Sequence, residues 1–473
     1  MTDTARKHVD FNGRIVMIGF GSIGQGVLPL LRRHIGLAPE DIVIINPDPA
    51  PEPIAAEFDA AYITEGLTPD NFRDLLGRYL RSGDFLLNLS VDVSSVDLAR
   101  YAHERGALYL DTCIEPWLGS YVDPDLTPSQ RSNYALREDM LALRRELGEG
   151  PTATITHGAN PGLVNHFVKV ALTNIARDLG QPLPSGDGKD DWSGLARDLN
   201  VTTIHIAERD TQRSQTPKNV DEFINTWSID GFYSEGLQPA ELGWGTHEKA
   251  LPPDGARHDF GADAAIYLNR PGASTRVRTW TPEAGPIHGF LITHNESISL
   301  PDYLTHRQDG QVVYRPTVHY AYHPCDSAVL SLHELAGRNW EMQSRKRLIV
   351  DEVVDGMDEL GVLLAGHGKN AYWYGSQLSI EEARRLAPHN NATSLQVTVA
   401  VLAGLVWAIE NPRAGIVEPE EMDHERIMEI AAPYLGRLTG AYTDWSPLTA
   451  RGELFAEDVD REDPWQFRNV RVV

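Results

Sequence analysis

The stretch GFGSIG, residues 19–24, constrains the fold of this 473-residue chain more than any other feature. It follows the apolar run Ile15–Ile18 and precedes apolar residues at helical spacing, which indicates the order strand, tight turn, helix. Its glycines Gly19, Gly21 and Gly24 match the pattern G-x-G-x-x-G. In that pattern the glycines permit a tight turn, a close backbone approach to a pyrophosphate and close helix packing. The sequence therefore predicts a dinucleotide-binding unit near the N-terminus.

Strand and helix patterns alternate after this turn. DIVIIN, DFLLNLSVD and ALYLDT have the composition of short buried strands, and NFRDLLGRYL and VDLARYAHERG have the apolar period of helices. Strands that alternate with helices at this spacing form parallel βαβ units. We predict an α/β fold whose residues 1–150 form a Rossmann domain with a doubly wound parallel sheet, the NAD-binding domain.

The sequence pattern changes from about residue 151. GANPGLVNHFVKVAL opens a helix, and strand-like runs follow in TTIHIAERD, GADAAIYL, TRVRTWTP, GFLITHNESISL and QVVYRPTVHYAYHP. These runs predict a second, α+β domain over residues 151–388, built on a mixed, largely antiparallel sheet. We expect this domain to carry the substrate chemistry.

The charge balance favours cationic ligands over anionic ones. The chain has 42 Lys and Arg residues against 67 Asp and Glu residues, a net charge of -25. Such a charge repels nucleic acid phosphates and anionic membrane surfaces, and it raises the local concentration of cations. An acidic surface also serves solubility, so the charge alone does not identify a ligand. We expect no nucleic acid partner and no membrane partner.

Cysteine content and apolar runs indicate a cytoplasmic protein. Cys113 and Cys325 are too few for a disulfide framework, and the N-terminal residues lack the apolar core of a signal peptide. The longest apolar run, residues 397–409, is shorter than the roughly 20 residues that cross a bilayer. We predict a buried helix there.

The cofactor site is expected at the carboxyl ends of the first strands. The second strand ends in Asn46 rather than in the acid that usually binds the ribose of NAD, but no arginine follows to accept a 2′-phosphate. NAD is therefore favoured over NADP, although Asn46 lacks the negative charge with which an acid would repel a 2′-phosphate. The predicted cofactor contacts are Gly19, Gly21, Ser22, Ile23, Gly24, Asn46, Ser90 and Thr112.

Polar residues that could react lie in loops after predicted strands. Asp92 and Glu115 follow two strands of the Rossmann domain. In the second domain, Asn160 precedes a helix and has helix capping as its alternative role. Glu208 has a surface ion pair as its alternative, and His294 has a hydrogen-bonded place in the core.

The stretch NTWSIDGFYSEGLQPAELGWG, residues 225–245, combines indole and carboxylate with no lysine or arginine. A carboxylate such as Glu235 attracts an ammonium group, and the face of an indole such as Trp227 stabilises a cation without being a base or a nucleophile. The alternative for Trp227 is a core aromatic in a strand, and Trp244 is predicted to pack in the core. Together these residues suggest one wall of a pocket for a cationic amine.

Two other groups have weaker signals. His319 and His323, near Cys325, lack a third marked ligand and lie on a predicted strand, so we expect no metal site. Asp358 stands in EVVDGMDELG, most simply a solvated helix face or cap.

The motifs GFGSIGQG, NLSVDVSS, LDTCIEPWLG, RSNYALRE, GANPG, HIAERDTQR, THNESIS, RPTVHYAYHPC, HGKNAYWYGSQLS and DPWQFRNV, with the stretch 225–245, resemble those of the bacterial homospermidine synthases. The resemblance covers nearly the whole chain. These enzymes are related to saccharopine dehydrogenases, which implies that residues 389–473 form a tail packing back on the Rossmann domain. It also implies a homodimer. The family converts two putrescines to homospermidine and ammonia, with a retained NAD that is reduced and reoxidised within one turnover.

The resemblance also implies roles for the candidate residues. Trp227 would contact the cationic intermediates, and Glu208, Glu235 and Asp92 would hold ammonium groups. The reacting centre would be lined by Asn160, Glu115 and His294, and the outer amine would lie at Asp358. Either Glu208 or Glu235 would be the base that accepts a proton. Ammonia leaves directly or after hydrolysis to 4-aminobutanal, and spermidine is a possible alternative donor.

Two other functions fit part of the sequence. A saccharopine or carboxynorspermidine dehydrogenase-like reductase would use free NAD(P)H and need an arginine clamp for a carboxylate, for which Arg209 or Arg276 is available. A NAD-binding sensor that has lost its chemistry would bind nucleotide without turnover. The acid-rich stretch around Trp227 favours the amine transferase over the reductase.

Overall fold

A computed structural model describes residues 6–472 and shows two large sheets that share one long buried helix. The helices are α1 (Ser22–His34), α2 (Glu52–Glu57), α3 (Phe72–Tyr79), α4 (Ser95–Arg105), α5 (Asn133–Leu147), α6 (Leu163–Leu179), α7 (Lys189–Asp198), α8 (Ile229–Leu237), α9 (Glu296–Tyr303), α10 (Asp326–Gly337), α11 (Ile380–Leu386), α12 (Ala392–Glu410), α13 (His424–Ala431) and α14 (Phe467–Val470).

The strands vary from two residues to eleven. They are β1 (Val9–Asp10), β2 (Ile15–Ile18), β3 (Ile35–Gly36), β4 (Ile42–Asn46), β5 (Ala61–Thr64), β6 (Phe85–Asn88), β7 (Leu108–Asp111), β8 (Ala153–Thr154), β9 (Thr203–Asp210), β10 (Arg213–Ser214), β11 (Glu222–Asn225), β12 (Pro239–Gly243), β13 (Gly255–Arg257), β14 (Ala265–Pro271), β15 (Arg276–Thr281), β16 (Gly285–Phe290), β17 (His306–Gln308), β18 (Gln311–Tyr314), β19 (Thr317–His323), β20 (Arg345–Leu348), β21 (Val353–Asp355), β22 (Met357–His367), β23 (Asn370–Ser379), β24 (Ile416–Val417), β25 (Arg437–Thr443) and β26 (Arg471–Val472).

The first sheet has seven parallel strands in the order β24-β8-β7-β6-β2-β4-β5. The strand order reverses at β2, which lies between β4 and β6. A crevice opens beyond the carboxyl ends of the strands at such a reversal, and ligands of open α/β sheets bind there. The predicted doubly wound parallel sheet is confirmed.

The second sheet has eleven strands and is mixed. Its central strand β9 pairs in parallel with β19 and antiparallel with β22, and most other pairs are antiparallel. The predicted mixed, largely antiparallel sheet is confirmed. The carboxyl ends of β9 and β19 point toward the crevice of the first sheet, so the two sheets share one site.

The helix α12 lies between the two sheets. It packs on α1 and β7 of the first unit and on β22 and β23 of the second. The helix is long and apolar enough to cross a bilayer by length and composition, but 89% of its most apolar window is buried inside the fold. The prediction of a buried helix in this segment is confirmed.

The segment predicted as a tail, residues 389–473, contributes to both sheets over the residues that the structure describes. α12 packs on the first unit and β24 joins the first sheet beside β8, whereas β25 and β26 pair with β23 and β15 of the second. Only the first part therefore packs back on the Rossmann domain, because strand pairing draws the rest onto the second sheet. The boundaries at residues 150 and 388 stay a prediction.

Two motifs adopt different elements from those expected. GFLITHNESISL is a strand only as far as Phe290, and its polar half begins helix α9 at Glu296. Asp358 lies in strand β22 rather than on a helix face, and it is completely buried. Because β22 is covered on both faces, its side chains show no alternation of polar and apolar residues that would mark a strand.

A buried ion cluster joins the two units. Arg137 of α5 donates hydrogen bonds to Glu418 at 2.6 and 2.7 Å and to Asp302 of α9 at 2.9 Å. The Arg137 side chain is 2% exposed. Loss of one partner from such a cluster leaves the other charges buried without compensation.

We expect Arg137→Met to lower the free energy of unfolding by about 3 kcal/mol, because Glu418 loses its counter-ion and Asp302 keeps only Lys189. The matched control is Arg144→Met, which removes an ion pair with Glu421 from the same helix at 38% exposure and costs less than about 1 kcal/mol. Urea unfolding of both variants measures the difference. Equal losses in the two variants would contradict a stabilising role for the buried cluster.

Candidate active site

A cavity of about 760 Å³ lies between the two units at the carboxyl ends of the strands. Residues after β2, β4, β6 and β7 form one side, and residues of β9, β19 and the turn before α8 form the other. The predicted residues that line it are Gly19, Gly21, Ser22, Ile23, Asn46, Ser90, Thr112, Asp92, Glu115, Asn160, Glu208, Trp227, Glu235 and His294. The fold thus gathers fourteen of the sixteen predicted site residues around one space.

The glycine turn leaves room for a pyrophosphate. Gly19 has a φ of 85°, and a Cβ on it would lie 2.7 Å from the carbonyl oxygen of Leu89. A Cβ on Gly24 would lie 2.8 Å from the Gly19 carbonyl oxygen, so Gly24 permits packing and does not line the cavity. A Cβ on Gly21 meets nothing within 4 Å, and no side chain caps α1 at this residue. The open N-terminus of α1 therefore offers backbone N–H groups to an anion.

Asn46 holds the glycine turn in place. Its Oδ1 accepts a hydrogen bond from the Phe20 backbone N–H at 3.0 Å, and its Nδ2 donates to the Asp48 carbonyl and the Tyr62 hydroxyl, both at 2.9 Å. Both Nδ2 protons are thus used inside the protein, which leaves one lone pair of Oδ1 for a ribose hydroxyl. The predicted ribose contact of Asn46 stays a prediction, and Glu65 lines the same end of the cavity.

Carboxylates surround the mouth of the cavity. Burial raises the pKa of Glu115 to about 8, and the nearby charges of Glu235 and Asp92 raise it further in the same direction. Burial also raises the pKa of Asp92, assisted by Asp230. Lys346 of β20 forms an ion pair with Asp230 here. A bound cation would favour the charged forms of these carboxyls, so the mouth suits cations. Lys346 is the one lysine among the described residues that line the cavity.

Glu208 lies deepest among the lining carboxylates. It accepts hydrogen bonds at one oxygen from the Tyr320 hydroxyl at 2.5 Å and from Asn160 Nδ2 at 2.9 Å. Burial raises its pKa to about 7. The capping alternative for Asn160 is wrong, because α6 begins at Leu163 and the Asn160 side chain faces Glu208. The surface ion pair proposed as the alternative for Glu208 is wrong, because its side chain is buried.

His294 bridges two carboxylates. Its Nε2 lies 3.0 Å from Glu235 Oε2, and its Nδ1 lies 3.3 Å from Glu296 Oε1. Burial alone would lower the pKa of His294, but the two carboxylates outweigh it and raise the pKa to about 10. The side chain is therefore an imidazolium at neutral pH, a fixed cation inside an acidic cavity.

Trp227 forms part of the cavity wall. Its Nε1 donates a hydrogen bond to the Tyr322 hydroxyl at 3.0 Å, and its ring packs on Phe232 at 5.2 Å between centroids. The residue lies in the turn between β11 and α8, not in a strand. Trp244 is buried against Phe467, so its predicted packing role is confirmed.

Two predicted groups lie away from the cavity. Asp358 is fully buried behind Thr393, which lines the cavity and whose hydroxyl donates to Asp358 at 2.5 Å. Burial, and then the charge of Glu208, raise the pKa of Asp358 well above its usual range. The predicted contact of Asp358 with an outer ammonium stays a prediction, and it would require Thr393 to move.

His319 packs on the ring of His205 at 4.2 Å in the interior of the second unit. Over residues 6–472, the structure has no group of three or more His, Cys, Asp or Glu side chains that could hold a metal ion.

Family models and known proteins match the chain over nearly its whole length. The saccharopine dehydrogenase NADP binding domain matches residues 15–154, and the saccharopine dehydrogenase C-terminal domain matches residues 158–443. Homospermidine synthase of Blastochloris viridis is 57% identical over 100% of both chains. That of Mesorhizobium japonicum is 53% identical over 98% of this chain and 97% of its own. The chain belongs to the homospermidine synthase family.

Solved structures agree with this family. The homospermidine synthase of Legionella pneumophila, in complex with NAD, has a TM-score of 0.92 and 48% identity over 98% of both chains. Saccharopine dehydrogenase of Saccharomyces cerevisiae has a TM-score of 0.52 at 11% identity, over 91% of this chain and 100% of its own, which shows a shared fold alone. The predicted family, fold class and enzyme class are therefore confirmed.

Several residues of the site escaped prediction from the sequence. Tyr320 contacts Glu208, Tyr322 contacts Trp227, and Glu296 contacts His294. The alternation in VHYAYH places the two tyrosines on one face of β19, but it does not reveal which face meets the cavity. Lys346 and Thr393 gave no signal, because their partners are more than thirty positions distant in the sequence.

Gly21→Val should abolish cofactor binding and leave the fold intact. Its φ of -74° suits any residue, and the added side chain would enter the space in front of α1 without meeting protein atoms. We expect the affinity for NAD to fall by more than about tenfold, as measured by calorimetry, with little change in thermal unfolding.

The control is Gly194→Val in α7, where a Cβ also meets nothing within 4 Å but no cofactor is expected. Normal NAD binding by Gly21→Val would refute this location of the pyrophosphate.

Proposed function

We propose that this homospermidine synthase transfers an aminobutyl group from one putrescine to a second, giving homospermidine and ammonia, with NAD as a recycled prosthetic group. The observation that carries the proposal is the composition of the cavity. It joins an open glycine turn to the Trp227 indole and six carboxyl side chains, among them Asp92, Glu115, Glu208 and Glu235. Such a site suits a dication beside a dinucleotide.

The glycine turn and its surroundings fit NAD better than NADP. The turn leaves the space in front of Gly21 open, and the described lining residues at the Asn46 end of the cavity include Glu65 but no arginine. A carboxylate there would repel a 2′-phosphate. When bound, NAD supplies an acceptor for hydride from the first amine and returns that hydride to the new imine, so it is not consumed overall.

Carboxylates would hold the ammonium ends of the diamine. Asp92 and Glu235 are partly exposed in the cavity, Glu115 is buried, and Glu235 faces the His294 imidazolium. An ammonium within about 4 Å of a carboxylate gains roughly 4 kcal/mol at an effective dielectric constant near 20. Because His294 already neutralises part of Glu235, the binding strength differs from one ammonium position to the next.

Glu208 is the better candidate for the base. An amine must lose a proton before hydride can leave its carbon, and a base with a pKa near 7 does this well at neutral pH. The pKa of Glu208 is about 7, whereas Glu235 is bound by a histidine cation. Glu208 would accept the proton at Oε1, because Oε2 already accepts from Tyr320 and Asn160.

Trp227 would stabilise the charge that moves during the reaction. An iminium carbon is open to attack by any nearby nucleophile, and an indole face offers cation–π stabilisation of about 0.5 to 2 kcal/mol without a lone pair to trap it. Whether ammonia leaves directly or after hydrolysis to 4-aminobutanal stays open. Either route needs the indole beside the reacting carbon.

The two arginines that could bind the substrate carboxylate of a reductase lie outside the cavity. Arg209 donates to the Pro324 carbonyl and pairs with Asp326, and Arg276 contacts Phe290 and His333. Neither lines the cavity. An α-carboxylate would meet Asp92 in the cavity, where like charges repel.

The proposal predicts product without net change in cofactor. Purified protein with putrescine and one equivalent of NAD should accumulate homospermidine over many turnovers, detected by mass spectrometry, while the absorbance of NADH stays near zero. A binding sensor would give no product. Stoichiometric NADH formation or consumption would refute the recycled cofactor.

The pKa of Glu208 predicts the acidic limb of the pH profile. Only its carboxylate accepts a proton, so kcat/KM should fall about tenfold for each pH unit below 7. Putrescine remains a dication across this range, so the limb reports the enzyme. The limb should persist in Glu115→Gln, and a limb that vanishes there would assign the base to Glu115 instead.

Three further properties belong to this proposal. We propose a homodimer, as the family resemblance implies, which sedimentation analysis checks. Spermidine is proposed as an alternative aminobutyl donor, checked with the same product assay. A cytoplasmic location is supported by Cys113 and Cys325, which are both free thiols.

A further inference from the structure

Strand β19 places two tyrosines, Tyr320 and Tyr322, side by side behind the reacting groups. Their rings stack at 5.2 Å with an angle of 10° between the planes. Both side chains are buried, and residues two apart in a strand share one face. The Tyr320 hydroxyl donates to Glu208, and the Tyr322 hydroxyl accepts from Trp227.

We infer that Tyr320 and Tyr322 are positioning residues for the reaction, Tyr320 by orienting the Glu208 carboxylate and Tyr322 by orienting the Trp227 indole. The inference rests on the proposed function and extends it to residues that do not themselves react. One rigid strand thereby fixes the distance between the proposed base and the proposed cation-binding ring.

The parallel pairing of β19 with β9 supports this role. Tyr322 is the register partner of Glu208 itself, so the strand that carries the base and the strand that carries the tyrosines are hydrogen-bonded at this point. Tyr320 also packs on the His294 ring at 4.4 Å between centroids. Neither tyrosine can shift without moving the imidazolium, the base or the indole.

The hydrogen bond to Tyr322 has an electronic consequence for Trp227. An N–H that donates to an oxygen leaves more electron density on its own ring, because hydrogen-bonded groups polarise one another. A richer ring face attracts a cation more strongly. Tyr322 therefore sets the strength of the cation–π contact as well as its direction, and this contact acts on the iminium that forms during the reaction.

Tyr320 influences the protonation state of the Glu208 carboxyl group. A hydrogen bond donated to a carboxylate favours its charged form, which opposes the effect of burial. The titratable groups that face Glu208 are Tyr320 and Tyr322 of β19, Asp358 of β22, Asp210 of its own strand and His294. Among them, Tyr320 is the one whose hydroxyl donates directly to Glu208.

The test compares three single tyrosine-to-phenylalanine variants. Tyr322→Phe should lower kcat about fivefold to thirtyfold, the loss of one hydrogen bond in the transition state, with KM for putrescine within about twofold of wild type. Tyr320→Phe should move the acidic limb of kcat/KM upward by about one pH unit, because Glu208 loses a donor.

The control is Tyr314→Phe, which removes the buried hydroxyl that donates to the Val201 carbonyl at 2.6 Å away from the cavity. We expect it to lower thermal stability and to leave kcat and the pH profile unchanged. If Tyr314→Phe lowers kcat as much as Tyr322→Phe does, the effect of Tyr322 on kcat is that of any buried tyrosine hydroxyl. That result would overturn the inference.

Wild-type kcat in Tyr322→Phe, with an unmoved limb in Tyr320→Phe, would overturn this inference alone. Absence of homospermidine from the wild-type reaction would overturn the proposed function and this inference with it. The wild-type product assay therefore separates the two failures.

Discussion

The burial of Glu208 is the constraint on which the site depends. A carboxylate excluded from water is held in its charged form only by the donors and cations around it. Asn160 and Tyr320 supply two donors, and His294 supplies a nearby cation. Glu208 therefore has a pKa of about 7 and can gain or lose a proton at neutral pH. An exposed carboxylate, or a buried one whose charge is fully stabilised by its neighbours, would have a lower pKa.

The environment of Glu208 results from the junction of two sheets of different kinds. The parallel sheet delivers loops rich in glycine and acid at its crevice, and the mixed sheet delivers rigid strand positions opposite them. Glu208 and the tyrosines lie on adjacent strands of the mixed sheet, so their distances follow from regular strand pairing. The indole comes from a turn and is held through Tyr322 instead. The proposed base is thus set on a strand, whereas Asp92 and Glu115 lie in loops.

Much of this could be predicted from the sequence, for identifiable reasons. GFGSIG carries its own structural context, and the stretch around Trp227 is unusual enough to indicate its ligand. The interpretation of Asp358 as part of a helix face or cap is wrong because β22 is buried on both faces and lacks the alternation that marks a strand. The bridge between His294 and Glu235 could not be predicted, because fifty-nine positions separate them and only the fold brings them together. The strand that contains Tyr320 and Tyr322 can be predicted from the sequence, but the sequence does not show which side of a sheet faces a cavity.

The cluster around Arg137 has a consequence for how the cofactor is kept. Asp302 of α9 reaches this arginine from the second unit, so any hinge motion that widened the crevice would separate the buried Arg137 guanidinium from one of its carboxylate partners. Water would have to enter before the halves could swing apart. A dinucleotide seated between them would then exchange slowly with the medium, while small diamines pass through the mouth. Long residence of the cofactor is what a catalyst needs when the hydride it takes up must return within the same turnover.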